Sequence, residues 1–122
     1  MADILLLEDE SALRSLLAEL LTEEGHDVTQ CGDGRIVRDS ERVASADLMI
    51  TDLIMPEVDG LEAIRTVRSI NPEVRIIAMS GGGRTVTRDY LPDAKAFGAE
   101  VILHKPFTPD EVIEQVRALL AA

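Results

Sequence analysis

Ile4-Leu5-Leu6-Leu7-Glu8-Asp9-Glu10 decides the reading of this chain: four consecutive apolar residues stop abruptly at three carboxylates. An apolar run this short, with no polar alternation, fits a β-strand buried on both faces. Four more runs have the same character: Val28 to Cys31, Leu48-Met49-Ile50, Val74 to Met79 (interrupted by Arg75) and Val101-Ile102-Leu103. The spacing between them is helical. Leu13, Leu16, Leu17, Leu20 and Leu21 repeat at i, i+3, i+4, i+7 and i+8, and Gly25 stops the pattern. Ile36, Val37 and Val43 make a weaker second helix, and Leu61, Ile64, Val67 and Ile70 a third. A fourth is expected within Arg88 to Phe97, ended by Gly98, with Pro92 in its first turn or breaking it. Thr108-Pro109-Asp110-Glu111 is a capping box with proline at the first helical position, and Val112, Ile113, Val116, Leu119 and Leu120 then form one apolar stripe.

Strand and helix therefore alternate five times. That order predicts an α/β fold, a doubly wound five-stranded parallel sheet with helices on both faces. The 122 residues suit one domain, assigned to residues 1–122, with no internal repeat and no linker. The pattern ends with the fifth helix, so no second domain is expected after it.

Composition narrows the function. Twelve Lys and Arg against 23 Asp and Glu leave a formal charge of −11, which repels nucleic-acid phosphates and anionic membranes and favours a divalent cation wherever carboxylates converge. Cys31 stands alone, which leaves neither an internal disulfide nor a cysteine-based zinc site. Aromatic residues are 2% of the chain, too few to stack bases or a flavin ring. No apolar run approaches the ~18 residues of a membrane span. Met1-Ala2-Asp3-Ile4 has no basic segment ahead of an apolar one, so no secretory signal is read and the chain is expected to be cytoplasmic.

In open α/β sheets, ligands bind beyond the carboxyl ends of the strands. There the sequence places Glu8, Asp9 and Glu10 after the first run, Asp52 after the third, Ser80 and Gly81-Gly82-Gly83 after the fourth, and His104 and Lys105 after the fifth. In a parallel sheet all of these share one edge. Crowded carboxylates repel unless a cation joins them, and oxygen donors suit Mg²⁺, which keeps several waters. Lysine is a compact charge for a phosphate oxygen, a serine hydroxyl can donate to the same group, and an aspartate can attack phosphorus. Phosphoryl transfer needs mainly positioning and charge neutralisation, which this set supplies.

These motifs resemble those of the response-regulator receiver domain, the CheY-like module of two-component signalling, over essentially the whole chain. The residues that carry the resemblance are Leu7-Glu8-Asp9, Asp52-Leu53-Ile54-Met55-Pro56 with Asp59-Gly60, Ser80-Gly81, and Lys105-Pro106-Phe107. It implies the flavodoxin-like strand order 2-1-3-4-5. It implies Asp52 as phosphoacceptor from a phosphohistidine, with Asp9, Asp52 and the Ile54 backbone carbonyl holding Mg²⁺ (or Mn²⁺) and Glu8 holding a metal-bound water. Lys105 would pair with Asp52 at rest and with the phosphoryl group afterwards. Ser80 would move to donate to that group, Gly81 would keep the approach open, and the Lys105-Pro106 bond would be cis.

The implied partners are a histidine kinase or histidine phosphotransfer protein upstream and an unidentified protein downstream, with a homodimer on phosphorylation as a further expectation. The implied protein is a signalling switch, not a metabolic enzyme, either stand-alone or a receiver cut from a longer protein. Three departures stand out. Glu8 replaces the commoner Asp, Ile102 replaces the aromatic switch residue, and the Ser80 to Gly98 segment is about three residues longer than the family's.

Taken singly, each motif also has a plain reading. Glu8-Asp9 could be a solvated helix start, Asp52 and Asp59-Gly60 turn residues, Ser80 a loop residue and Lys105 a surface lysine. Their joint order carries the assignment. His26 and His104 lack metal-ligand companions, Cys31 reads as a small buried hydrophobe, and Arg84, Arg88 and Lys95 read as solvated. The alternative is a pseudo-receiver that keeps the fold and binds a partner without phosphorylation. A flavin carrier would need aromatics and a phosphate loop where Glu8 and Asp9 stand. An aspartyl phosphatase of the haloacid dehalogenase type would need a second carboxylate in Asp52-Leu53-Ile54.

Overall fold

Each apolar run is a strand in the computed structural model, which describes residues 1–54, 58–80 and 91–121. The strands are β1 (Asp3–Leu7), β2 (Asp27–Cys31), β3 (Leu48–Asp52), β4 (Arg75–Ser80) and β5 (Val101–His104). They form one parallel sheet in the order β2-β1-β3-β4-β5. Leu7 stands level with Cys31 and Thr51, Asp52 with Met79, and Ser80 with His104. The carboxyl ends of all five strands therefore reach one edge, and the polar residues that follow them converge there.

Side chains alternate between the two faces, so the sheet divides the core. Leu5, Leu7, Met49, Ile76 and Ala78 pack with Val43, Ile64, Val67 and Ala94 on one side. Ile4, Leu6, Ile50, Ile77 and Met79 pack with Leu17, Leu21, Val112 and Val116 on the other. Burial on both faces holds for β1, β3 and β4, but not for the edge strands. β2 exposes Asp27 and Gln30, and β5 exposes His104. They are the two outer strands of the sheet, and among the described residues no further strand pairs with them, which corrects the expectation of five fully buried strands.

The helices follow their sequence signals with one exception. α1 (Ser11–Glu23) is followed by Gly25 at φ +95°, a left-handed position that only glycine adopts freely. The second helix is broken in two: a 3-10 turn over Gly34–Arg38, then α2 over Ser40–Ala44. Asp33 accepts from the Arg35 N–H at 2.9 Å and Asp39 from the Arg42 N–H at 3.2 Å, so each aspartate caps its own start. α3 (Gly60–Ile70) begins at Asp59, which accepts from the Glu62 N–H at 2.9 Å. α4 (Leu91–Phe97) has Pro92 in its first turn and ends at Gly98, φ +123°; the rest of the expected fourth helix, Arg88 to Tyr90, lies outside the described residues. α5 (Pro109–Ala121) starts from Thr108, whose hydroxyl accepts from the Glu111 N–H at 3.2 Å. Among the described residues no helix is long and apolar enough to cross a membrane.

Candidate functional site

The carboxyl edge of the sheet gathers Glu8, Asp9, Asp52, Ser80 and Lys105. The Lys105 ammonium lies 2.8 Å from Asp52 Oδ2 and 2.9 Å from Glu8 Oε1. It bridges residues 97 and 53 positions away in the chain. Glu8 is wholly buried, and Asp52 and Ser80 are nearly so, whereas Asp9 is exposed. Burial pushes the Glu8 carboxyl above its ordinary value, and the Asp52 charge adds to this against the hydrogen bonds from Glu10 and Lys105. Burial also acts to lower the Lys105 ammonium, but hydrogen bonds and charge from Asp52 and Glu8 outweigh it and leave it raised.

The backbone holds these groups in place. The Glu8 N–H donates to the Cys31 carbonyl at 3.0 Å, which locks the end of β1 to that of β2. The Lys105 N–H donates to the Ser80 carbonyl at 2.9 Å and the Leu53 N–H to the Met79 carbonyl at 3.1 Å, which ties the ends of β3, β4 and β5 together. The Lys105–Pro106 peptide bond is cis. Asp52 Oδ1 receives a long contact from the Ile54 N–H, 3.4 Å. Ile102 is half-buried and packs with the α3 and α4 side of the core. Gly81, Met55 and Pro56 lie outside the described residues.

Glu8, Asp9 and Asp52 each offer an oxygen, and the three atoms lie within 4.8 Å of one another. An all-oxygen set with an exposed mouth at Asp9 fits a hard divalent cation that keeps part of its water. Cys31 is no competing ligand or nucleophile: burial, then the Asp33 charge, pushes its thiol up to about 11.

Two supports were not read from the sequence. Arg14 donates from α1 to the Glu8 carbonyl at 2.8 Å, and the space it crosses is open because Gly32 has no side chain; a Cβ there would lie 3.2 Å from the guanidinium. Gly60 lets α3 start against the end of β3: a Cβ would fall 2.3 Å from the Asp52 carbonyl oxygen and 2.5 Å from Leu53 Cα. The Asp59-Gly60 pair suggested a turn, but a contact with Asp52 depends on how the turn folds back, which local sequence does not encode.

A doubly wound parallel sheet with buried carboxylates and a lysine at its carboxyl edge has the architecture of a signalling receiver module. The family model for the response regulator receiver domain matches residues 4–117, and the chain belongs to that family. It is similar to the response regulator receiver protein CpdR of Brucella abortus, 30% identical over 122 residues, covering 100% of this chain and 99% of that protein. It is also similar to the DNA-binding transcriptional regulator NtrC of Azospirillum brasilense, 34% identical over 119 residues, covering 98% of this chain but only 24% of that protein. The solved response regulator receiver domain from Clostridium thermocellum superposes with a TM-score of 0.86 at 27% identity, covering 99% of this chain and 95% of that one. The chain is thus a receiver domain of two-component signalling, a switch rather than a metabolic enzyme.

Proposed function

We propose that residues 1–122 form one cytoplasmic receiver that accepts a phosphoryl group on Asp52 from the phosphohistidine of a kinase or phosphotransfer protein. The observation that carries this reading is the Lys105 ammonium seated 2.8 Å from Asp52 Oδ2, in a buried cluster whose mouth is open at Asp9. An Asp52 carboxylate oxygen attacks phosphorus, the phosphorus–nitrogen bond breaks, and its electron pair leaves with the imidazole. Lys105 offsets the charge gathering on the phosphoryl oxygens. Asp9, Asp52 and the Ile54 carbonyl are the residues that would hold Mg²⁺ or Mn²⁺, and a bound cation supplies further charge neutralisation. Ser80 then donates to a phosphoryl oxygen, with Gly81 leaving the approach open. The change spreads to the face of α4, β5 and α5 through Ile102, where an aromatic switch residue is replaced by an aliphatic one. That face meets a downstream protein or a second copy of the chain.

The test is intact mass after incubation with acetyl phosphate and Mg²⁺. One phosphoryl adduct is expected on wild type and none on Asp52→Asn. No adduct on wild type, either from acetyl phosphate or from a phosphorylated kinase domain, overturns the reading and leaves a pseudo-receiver that binds without phosphorylation.

A further inference from the structure

The connection from β1 to α1 carries the two adjacent acids, and its helix start lacks the usual cap. β1 ends at Leu7 and α1 begins at Ser11, which leaves Glu8, Asp9 and Glu10 between them. α3 and α5 each begin on a side chain that accepts a backbone N–H, Asp59 and Thr108. Glu10, at the same position before α1, makes no such bond. Asp9 is exposed, so packing does not aim its carboxylate. Its direction follows from the backbone that carries it.

Arg14 supplies the missing hold. It lies one turn into α1, half-buried, and its backbone N–H donates to the Glu10 carbonyl at 3.0 Å. Its Nη1 reaches back to the Glu8 carbonyl at 2.8 Å. That bond is charge-assisted, the stronger kind. The Glu8 carbonyl and the Asp9 N–H belong to one planar peptide unit, so fixing the oxygen fixes the plane that enters Asp9. The flanking units are held by the Glu8 N–H on the Cys31 carbonyl (3.0 Å) and the Glu10 N–H on Glu8 Oε2 (3.0 Å). Gly32 keeps the path of the arginine open: a Cβ there would lie 3.2 Å from Nη1, closer than an ordinary van der Waals contact.

Charge alone gives the opposite expectation for this arginine. A guanidinium bonded to the main chain of Glu8 repels a divalent cation at Glu8, Asp9 and Asp52, so by charge alone its removal tightens binding. We propose that Arg14 is a positioning residue for the cation site: it holds the Glu8–Asp9 peptide so that the Asp9 carboxylate meets the oxygens of Glu8 and Asp52, the three atoms lying within 4.8 Å of one another. It acts through the main chain of its neighbours and not by contact with the cation. The proposal rests on the reading of these three acids as a divalent-cation site.

The experiment measures the Mg²⁺ dissociation constant by calorimetry on the full chain, as wild type, Arg14→Met, Gly32→Val, Asp9→Asn and Arg68→Ala. Methionine keeps most of the side chain's length and removes its charge and its donors. Gly32→Val leaves the arginine in place and crowds its path from an exposed position. Arg68→Ala is the control for lost stability, because Arg68 also serves backbone carbonyls but at the opposite end of the sheet. An amide spectrum checks each fold.

Arg14→Met is expected to bind Mg²⁺ about tenfold more weakly than wild type. Gly32→Val should weaken it by a smaller factor, and Arg68→Ala should leave it unchanged. Arg14→Met binding as tightly as wild type, or more tightly, overturns the proposal. So does an equal weakening in Arg68→Ala, which makes the loss one of stability. If Arg14→Met fails to fold, Gly32→Val decides alone, and unchanged affinity there overturns the proposal. Mg²⁺ binding that survives Asp9→Asn overturns the cation-site reading and the proposal with it. Binding that Asp9→Asn abolishes and Arg14→Met leaves intact overturns the proposal alone.

Discussion

The two ends of the sheet use polar side chains in opposite ways. At the amino end several of them bond to backbone, although Arg75 and Arg68 also pair with Glu100 at 2.9 and 3.5 Å. Arg68 donates to the carbonyls of Pro72, Val74 and Gly98 at 2.7, 2.7 and 2.9 Å. Asn71 donates to those of Val43 and Ala46 at 3.0 and 2.9 Å. Asp47 accepts from the Asp3 N–H at 2.8 Å and His26 from the Ala2 N–H at 3.1 Å. A cavity of about 380 Å³ opens there, lined in part by Met1, His26, Asp47, Glu73 and Arg75, with no metal-binding group of carboxylates among the described residues. At the carboxyl end Lys105 bonds to the buried side chains of Glu8 and Asp52, with its own side chain partly exposed. Side chains that satisfy backbone hold a loop in place. Charges buried against each other are costly and can be re-paired by a ligand, so they mark the working end.

The contrast can be broken at either end. Lys105→Met leaves two buried carboxylates without their counter-ion, so at pH 7 without divalent cation the expected loss is about 3 kcal/mol, read by urea denaturation. Added Mg²⁺ should recover part of it; a variant as stable as wild type would show that the ion pair is dispensable. Arg68→Ala strands three carbonyls at the other end. The expected loss is about 2 kcal/mol, with the acetyl phosphate adduct still formed at the wild-type level. Impaired adduct formation there would show that the two ends are not separable. Asn71→Ala should cost about 1 kcal/mol and likewise spare the adduct.

The finest test reads a slope with pH. The Glu8 carboxyl is raised above its ordinary value near 4.5, so the folded state binds the proton more tightly than the unfolded chain. The stability this contributes is fully present below about that pH and is lost as pH rises through the folded value. Without divalent cation, Glu8→Gln should therefore gain stability relative to wild type as pH rises above 4.5. A flat difference would mean that Glu8 is charged and fully compensated across that range.

Five strands alternating with helices, and the polar residues at their carboxyl ends, were legible because they follow from local signals: apolar runs, helical spacing, and the polar residue that ends each run; the strand order followed from the resemblance to the receiver family. What escaped depends on distant neighbours. Val28 to Cys31 read as a buried strand, but β2 is an outer strand of the sheet and is only half covered. Ile36, Val37 and Val43 read as one helix, and Asp39 divides it by capping a new start in its middle. Glu8 and Asp9 read as adjacent acids of one cation site, Asp9 directly and Glu8 through a water, with no difference in burial foreseen. Their separation into a buried and an exposed carboxylate is decided by Lys105, almost the whole length of the chain away.

That separation has a consequence for synthesis. A chain leaving the ribosome presents Glu8 and Asp52 long before Lys105 emerges, because the lysine follows them by 97 and 53 residues. Until β5 docks on β4, closing the sheet over Glu8 would trap a carboxylate with no counter-charge. The nascent sheet therefore has an electrostatic reason to stay open at its working edge until its outermost strand arrives. Completion of the site and completion of the fold then become the same event.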